Sequence, residues 1–223
     1  MPDTFETTTK IRTAVVTGRH PYEVPGFHDC FRAMPEVAFY PMHMEDYASD
    51  AGGYRSRYDV VVFYNMHMET PGGEQNWWDQ GAKQALEALG ETPQGIVVLH
   101  HAILAYPKWP LWSEIVGIED RSFGYHMNET VRTEIANPGH PITQGLTAWE
   151  MTDETYTMDD AGEGSDILLT TDHPRSMRTL AWTRHYRNAR VFCYEAGHDT
   201  QAFSNLSFRE VLSRGIQWVA RRL

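Results

Sequence analysis

The sequence predicts an α/β fold with a mostly parallel sheet covered by helices, and three observations carry that expectation. Asp59 to Met66 and Gly95 to Leu99 are unbroken apolar runs rich in β-branched residues, the composition of strands buried on both faces. Helical stretches alternate with the strands, a rhythm that argues for right-handed crossovers between parallel neighbours. The runs end in histidine: His67 follows one, and His100 with His101 follows the other. Ligands of open α/β sheets bind beyond the carboxyl ends of the strands, so these are the first candidate site residues.

Taken in order, Ile11 to Thr17 reads as a strand, followed by the loop Gly18-Arg19-His20-Pro21. Val24 to Met34 is a helix stopped by Pro35, and Val37 to Met42 is a second strand. Asp59 to Met66 comes next, then a helix over Asn76 to Leu89 with Trp77, Ala85, Leu86 and Leu89 on its inner face. After His101 only Leu111 to Val116 has a helical pattern, within a stretch rich in Pro and Trp. Tyr125 to Ala136 is extended and polar, as an edge hairpin or lid would be, and Asn137 to Thr143 is turn chemistry. Trp149 to Met158, Asp166 to Thr171, Leu180 to His185 and Arg190 to Glu195 are further extended pieces. Ser207 to Leu223 closes the chain as a helix with Phe208, Val211, Leu212, Ile216 and Val219 as its core stripe.

At 223 residues the chain suits one domain over residues 11–223 behind a flexible, Thr-rich tail over residues 1–10. That tail lacks the apolar core of a signal peptide, and no stretch offers the ~20 apolar residues of a membrane helix. A net charge of −11, with a basic cluster only at Arg214 to Arg222, argues against nucleic acid as a partner. Two cysteines at unrelated spacing exclude a Cys-type zinc cluster and fit a reducing cytoplasm.

The candidate site residues are imidazoles and carboxylates placed at strand ends. His20, His67, His100, His101 and His198 all fall there, and a pocket with several imidazoles suits proton transfer or a divalent metal such as zinc. Because neighbours on a strand face opposite sides, His101 is expected to point away from His100. Asp199 and Glu154 are positioned to orient an imidazole or to act as a base. His28, His43 and His185 read as surface residues, and His140-Pro141 and His173-Pro174 as turn formers. Trp109, Trp112 and Trp182 suit either sugar stacking or core packing, and the loop Tyr106 to Trp112 suits a pocket cap or the contact of a homo-oligomer.

Several ordered stretches resemble the ThuA-like proteins, named for trehalose utilisation: Ile96 to Ala102, Asn137 to Leu146, Asp153-Glu154-Thr155-Tyr156, and Arg190-Val191-Phe192 leading to Gly197-His198-Asp199. The likeness runs from Ile11 to the final helix, departing at Arg187-Asn188-Ala189, where a Gly-rich turn is common. It implies a flavodoxin-like three-layer αβα sandwich of the class I glutamine amidotransferase-like type. It also implies that His100 takes the elbow that a nucleophilic cysteine holds in the glutaminases, with His198 at their catalytic histidine. Without a cysteine at that elbow a thioester route to ammonia is not available.

The resemblance implies chemistry on a disaccharide or 3-keto-sugar derivative. The expected catalytic residues are His100, His198, Asp199 and Glu154, with His20, His67, His101, Tyr156 and Trp182 contacting a small-molecule carbohydrate. Should a metal be bound, His67, His100 and His198 are its expected ligands. The alternative is a non-catalytic carbohydrate- or partner-binding module on an amidotransferase-like fold, since fold does not imply function.

Overall fold

In the computed structural model, which describes residues 5, 8–73 and 77–223, the apolar run of the sequence is strand β4 (Gly95–Leu99), fully buried at the middle of a nine-stranded sheet. Asn76, and the side chain of Trp77 that the sequence placed on a helix face, lie outside what is described. Before β4 come β1 (Ile11–Gly18), α1 (Val24–Arg32), β2 (Val37–His43), α2 (Met44–Ser49), β3 (Val60–Asn65) and α3 (Trp77–Glu87). After it the chain runs through a 3-10 turn at His100–Leu104, then α4 (Pro110–Val116), β5 (Gly124–Ile135), β6 (Trp149–Thr157), β7 (Asp166–Thr170), β8 (Thr179–Tyr186) and β9 (Ala189–Tyr194). It ends with α5 (Thr200–Phe203) and α6 (Leu206–Val219).

The strand order is β2-β1-β3-β4-β9-β8-β7-β5-β6. Strands β2, β1, β3, β4 and β9 pair in parallel, while β9-β8, β8-β7, β7-β5 and β5-β6 are antiparallel. The expectation of a mostly parallel sheet is therefore corrected to a mixed one, half parallel and half antiparallel. The reason is local: the segments from β5 to β9 are joined without helices, and neighbours linked by turns run antiparallel.

Alternation along the central strands explains why they read as continuous apolar runs. Val60, Val62, Tyr64, Val97 and Leu99 face one core with α1 and α6, where Phe27, Phe31, Phe208, Val211, Leu212, Ile216 and Val219 are buried. Val61, Phe63, Ile96 and Val98 face a second core with α2, α3 and α4, which also takes Ala85, Leu86 and Leu89. Each large aliphatic side chain so buried contributes roughly 1.5–3 kcal/mol, which holds the sheet rigid beneath its carboxyl edge. Within the first ten residues Phe5 is buried, packing edge-on against Tyr40, Tyr54 and Tyr58. Among the described residues no helix is long and apolar enough to cross a membrane.

Strand β5 decides where the site forms. It pairs with β7 through Glu134 and Ile135 alone, whereas Gly124 to Thr133 pair with β6, with a register shift between His126 and Glu129. The β5–β6 hairpin thus leaves the sheet at its far end and returns side chains of β6 to the end of β4.

Candidate active site

His100 is the first residue after β4, and its φ of +53° puts a non-glycine residue in the left-handed region, a strain of about 1–2 kcal/mol. The backbone turns sharply there, and the ring is held by its Nδ1, which donates to the Glu195 carbonyl at the end of β9 (2.6 Å). Its Nε2 is left facing three other groups. Glu154 Oε2 lies 3.1 Å away, His198 Nδ1 3.2 Å and the Tyr156 hydroxyl 2.9 Å. Glu154 Oε2 in turn stands 3.0 Å from His198 Nδ1 and accepts from the Tyr156 hydroxyl at 2.8 Å. His100, Glu154 and Tyr156 are buried, while the His198 side chain is 22% exposed and opens the cluster to solvent.

The loop carrying His198 is clamped from β6. Asp153 accepts from the backbone N–H groups of Gly197 (2.7 Å) and His198 (3.0 Å), and also from Glu154 N–H (2.9 Å). Gly197, at φ +120° with a would-be Cβ 3.1 Å from the Phe208 ring, lets the chain make that approach. Tyr64 donates to the Gly197 carbonyl (2.8 Å), and the Glu195 carboxyl accepts from Tyr156 N–H (3.0 Å).

Environment sets the charges. Burial alone would push Glu154 up, but its hydrogen bonds from His100 and His198 outweigh that and hold it well below the usual carboxylate range. The Glu154 hydrogen bond raises His198 against the opposing effect of burial. Asp153 is raised and Glu195 pushed well above the ordinary range by burial. Burial acts the other way on the outer imidazoles, lowering His20, bringing His67 down to about 4 and placing His101 well below its ordinary value.

The structure thus brings His100, His198, Glu154 and Tyr156 together. His101 does not point away from His100 as expected of strand neighbours, because strand geometry ends at Leu99; the rings are 5.4 Å apart. It donates to the Tyr64 carbonyl (3.1 Å) and stacks on His20 at 4.1 Å, and His20 lies edge-on to His198 at 6.2 Å. His67 stands apart: its Nδ1 accepts from Asn65 (3.1 Å), and it lines a separate cavity of about 620 Å³ with Arg19, Glu69, Trp78, Asp79 and Tyr106. The expected ligand trio of His67, His100 and His198 is corrected accordingly, with Glu154 in the place given to His67.

Two further expectations change. Asp199 caps α5, accepting from Gln201 N–H (2.8 Å), so the orienting partner of His198 is Glu154 and not its sequence neighbour. Trp182 is fully buried in the second core with its indole N–H on the Val116 carbonyl (2.8 Å), leaving no face for a sugar. Asp153 and Glu195 were not assigned roles by sequence reasoning; the available signal for Glu195 was a carboxylate directly after the apolar strand β9, whereas Asp153 sits in the polar sequence of β6 and carried none.

Residues 50–219, about three quarters of the chain, match the family model described as "Trehalose utilisation" (ThuA). No curated protein matches. Among solved structures, similar ones include a ThuA-like protein from Parabacteroides merdae, 22% identical with a TM-score of 0.72, covering 95% of this chain and 90% of that one. Another is a cytoplasmic protein from Salmonella typhimurium (14% identity, TM-score 0.63, 92% and 98% covered). A glutamine amidotransferase from Thermotoga maritima matches at 9% identity and a TM-score of 0.53 over 93% and 98% of the two chains. At these identities the likeness to solved structures shows the fold alone.

Proposed function

The chain belongs to the ThuA family, trehalose utilisation, and on that premise we propose that it is an enzyme acting on a disaccharide or 3-keto-sugar derivative in the cytoplasm. The observation that carries this reading is the convergence of one carboxylate, two imidazoles and a phenol, each within 3.2 Å of at least two of the others, at the carboxyl end of β4. Clusters of titratable groups with shifted pKa values are more common at functional sites than elsewhere.

A carbonyl at C3 of a sugar acidifies the neighbouring C–H, so enolisation, isomerisation or elimination of a glycosidic oxygen needs a proton acceptor and a proton donor held in place. His198, the member that reaches solvent, exchanges the proton with the substrate. Glu154 holds its ring, and His100 with Tyr156 completes the hydrogen-bonded wall behind it. His20, stacked on the buried His101 and edge-on to His198, lies on the side from which a substrate would approach.

Glutamine hydrolysis is not part of this proposal. His100 stands at the elbow, and Cys30 and Cys193 are buried elsewhere, burial pushing the Cys30 thiol up to about 12. The alternative, a non-catalytic carbohydrate- or partner-binding module, is favoured by one observation: only His198 of the two imidazoles and the carboxylate is more than slightly exposed.

The test is turnover of trehalose, other disaccharides and their 3-keto derivatives by the wild type and by His100→Ala and His198→Ala. Loss of about 10²–10⁴-fold in both variants, with circular dichroism unchanged, is the expected result. Activity that survives both substitutions places the chemistry elsewhere, and binding of a sugar without any turnover points to the module.

A further inference from the structure

We propose that His100 Nε2, Glu154 Oε2 and His198 Nδ1 form a binding site for one divalent transition-metal ion of the zinc type. The site stands whether or not the substrate is a carbohydrate. The three atoms form a nearly equilateral triangle with edges of 3.1, 3.2 and 3.0 Å. Donors placed about 2.0–2.2 Å from a common ion lie roughly 3.0–3.4 Å from one another, so one ion about 1 Å above that triangle reaches all three after a displacement of tenths of an ångström.

Outer partners already orient each ligand as metal sites require. The His100 Nδ1–H bond to the Glu195 carbonyl holds the ring with Nε2 directed into the cluster, where a bound ion would take the place of the Nε2 proton shared with Glu154. Tyr156 holds Glu154 through its hydroxyl, and Asp153 holds the backbone of His198. Charge favours a cation too: the Glu154 carboxylate is buried, and among the described residues no Lys or Arg pairs with it.

The donor set selects the class of ion. Two imidazole nitrogens and one carboxylate oxygen suit zinc and its first-row neighbours, whereas calcium and magnesium prefer oxygen ligands. Three protein ligands leave a coordination position free. The side chain of His198 reaches solvent, so that position opens outward, as in catalytic sites and unlike closed structural ones. An oxygen of water or of a substrate carbonyl would occupy it; with the ion bound, His198 serves as a ligand, and the proton exchange assigned to it above would fall to Tyr156 and His20.

The experiment uses protein without a histidine tag, stripped with a chelator and dialysed against zinc, with metal content read by mass spectrometry and cobalt as a spectroscopic substitute. About one zinc per chain is expected, together with the visible absorption of a low-coordinate cobalt site. Glu154→Gln and His198→Ala, which lie on different elements, should each weaken binding by at least about 100-fold, while His67→Ala should not change it. Absence of zinc from the wild type overturns the proposal, as does binding that survives both Glu154→Gln and His198→Ala. Because Glu154→Gln keeps the side-chain shape, it decides the matter should His198→Ala fail to fold, and neither outcome depends on knowing the substrate.

Discussion

The parallel half of the sheet and the antiparallel half build the site in opposite ways. Strands β1, β3, β4 and β9 are buried on both faces, and they or the loops that follow them present His20, His67, His100, His101 and His198 along one edge. The antiparallel half is thinner at its end. Most of β5 is exposed, and its partner β6 supplies carboxylates and a phenol in place of imidazoles. The pKa directions follow that division: burial lowers His20, His67 and His101, whereas His198, in contact with Glu154 of β6, moves upward. A packed edge makes neutral imidazoles, and charge enters only where the hairpin returns to it.

If the parallel half is the rigid one, substitutions should separate the two halves by stability. Ile96→Ala in β4, a residue with no exposure, is expected to destabilise by about 2–5 kcal/mol in chemical denaturation. Thr130→Ala, on the exposed face of β5, should stay within about 0.5 kcal/mol. Equal losses at the two positions would remove the contrast.

His67 gives a sharper, smaller test through pH. Its folded value of about 4 lies below the ordinary 6.5, so between those values the unfolded chain binds more protons and folding weakens. Stability should therefore be fully present above about pH 6.5 and fall as pH drops toward 4, by up to about 3 kcal/mol from this residue. His67→Asn should flatten that part of the stability curve; an unchanged slope would show that burial does not hold His67 neutral.

The same division explains what could be read from the sequence. Strands β1, β3 and β4 and helix α6 were legible because double burial leaves continuous apolar runs and helical stripes. Helix α2, six residues long, was missed, being too short to show a period. Strand direction beyond β4 was missed because β5 to β9 carry the composition of strands in either direction. The histidines were legible as strand-end residues, and Glu154 was seen as a partner. Its displacement of Asp199 depends on how β5 leaves the sheet, which no local pattern records. Trp182 was misplaced for a similar reason, since an indole fits a core and a sugar site equally well. Asp153 and Glu195 act through backbone groups, whose positions exist only in the fold.

The central claim is that Glu154 of the hairpin and His198 of the parallel edge work as one unit. A double-mutant cycle on turnover measures it directly, comparing wild type, Glu154→Gln, His198→Ala and the pair on the best sugar substrate. Each single variant is expected to lose at least about 100-fold, and the double variant to be little slower than the worse single one. Losses that multiply across the two substitutions, or a Glu154→Gln enzyme as fast as the wild type, would contradict it.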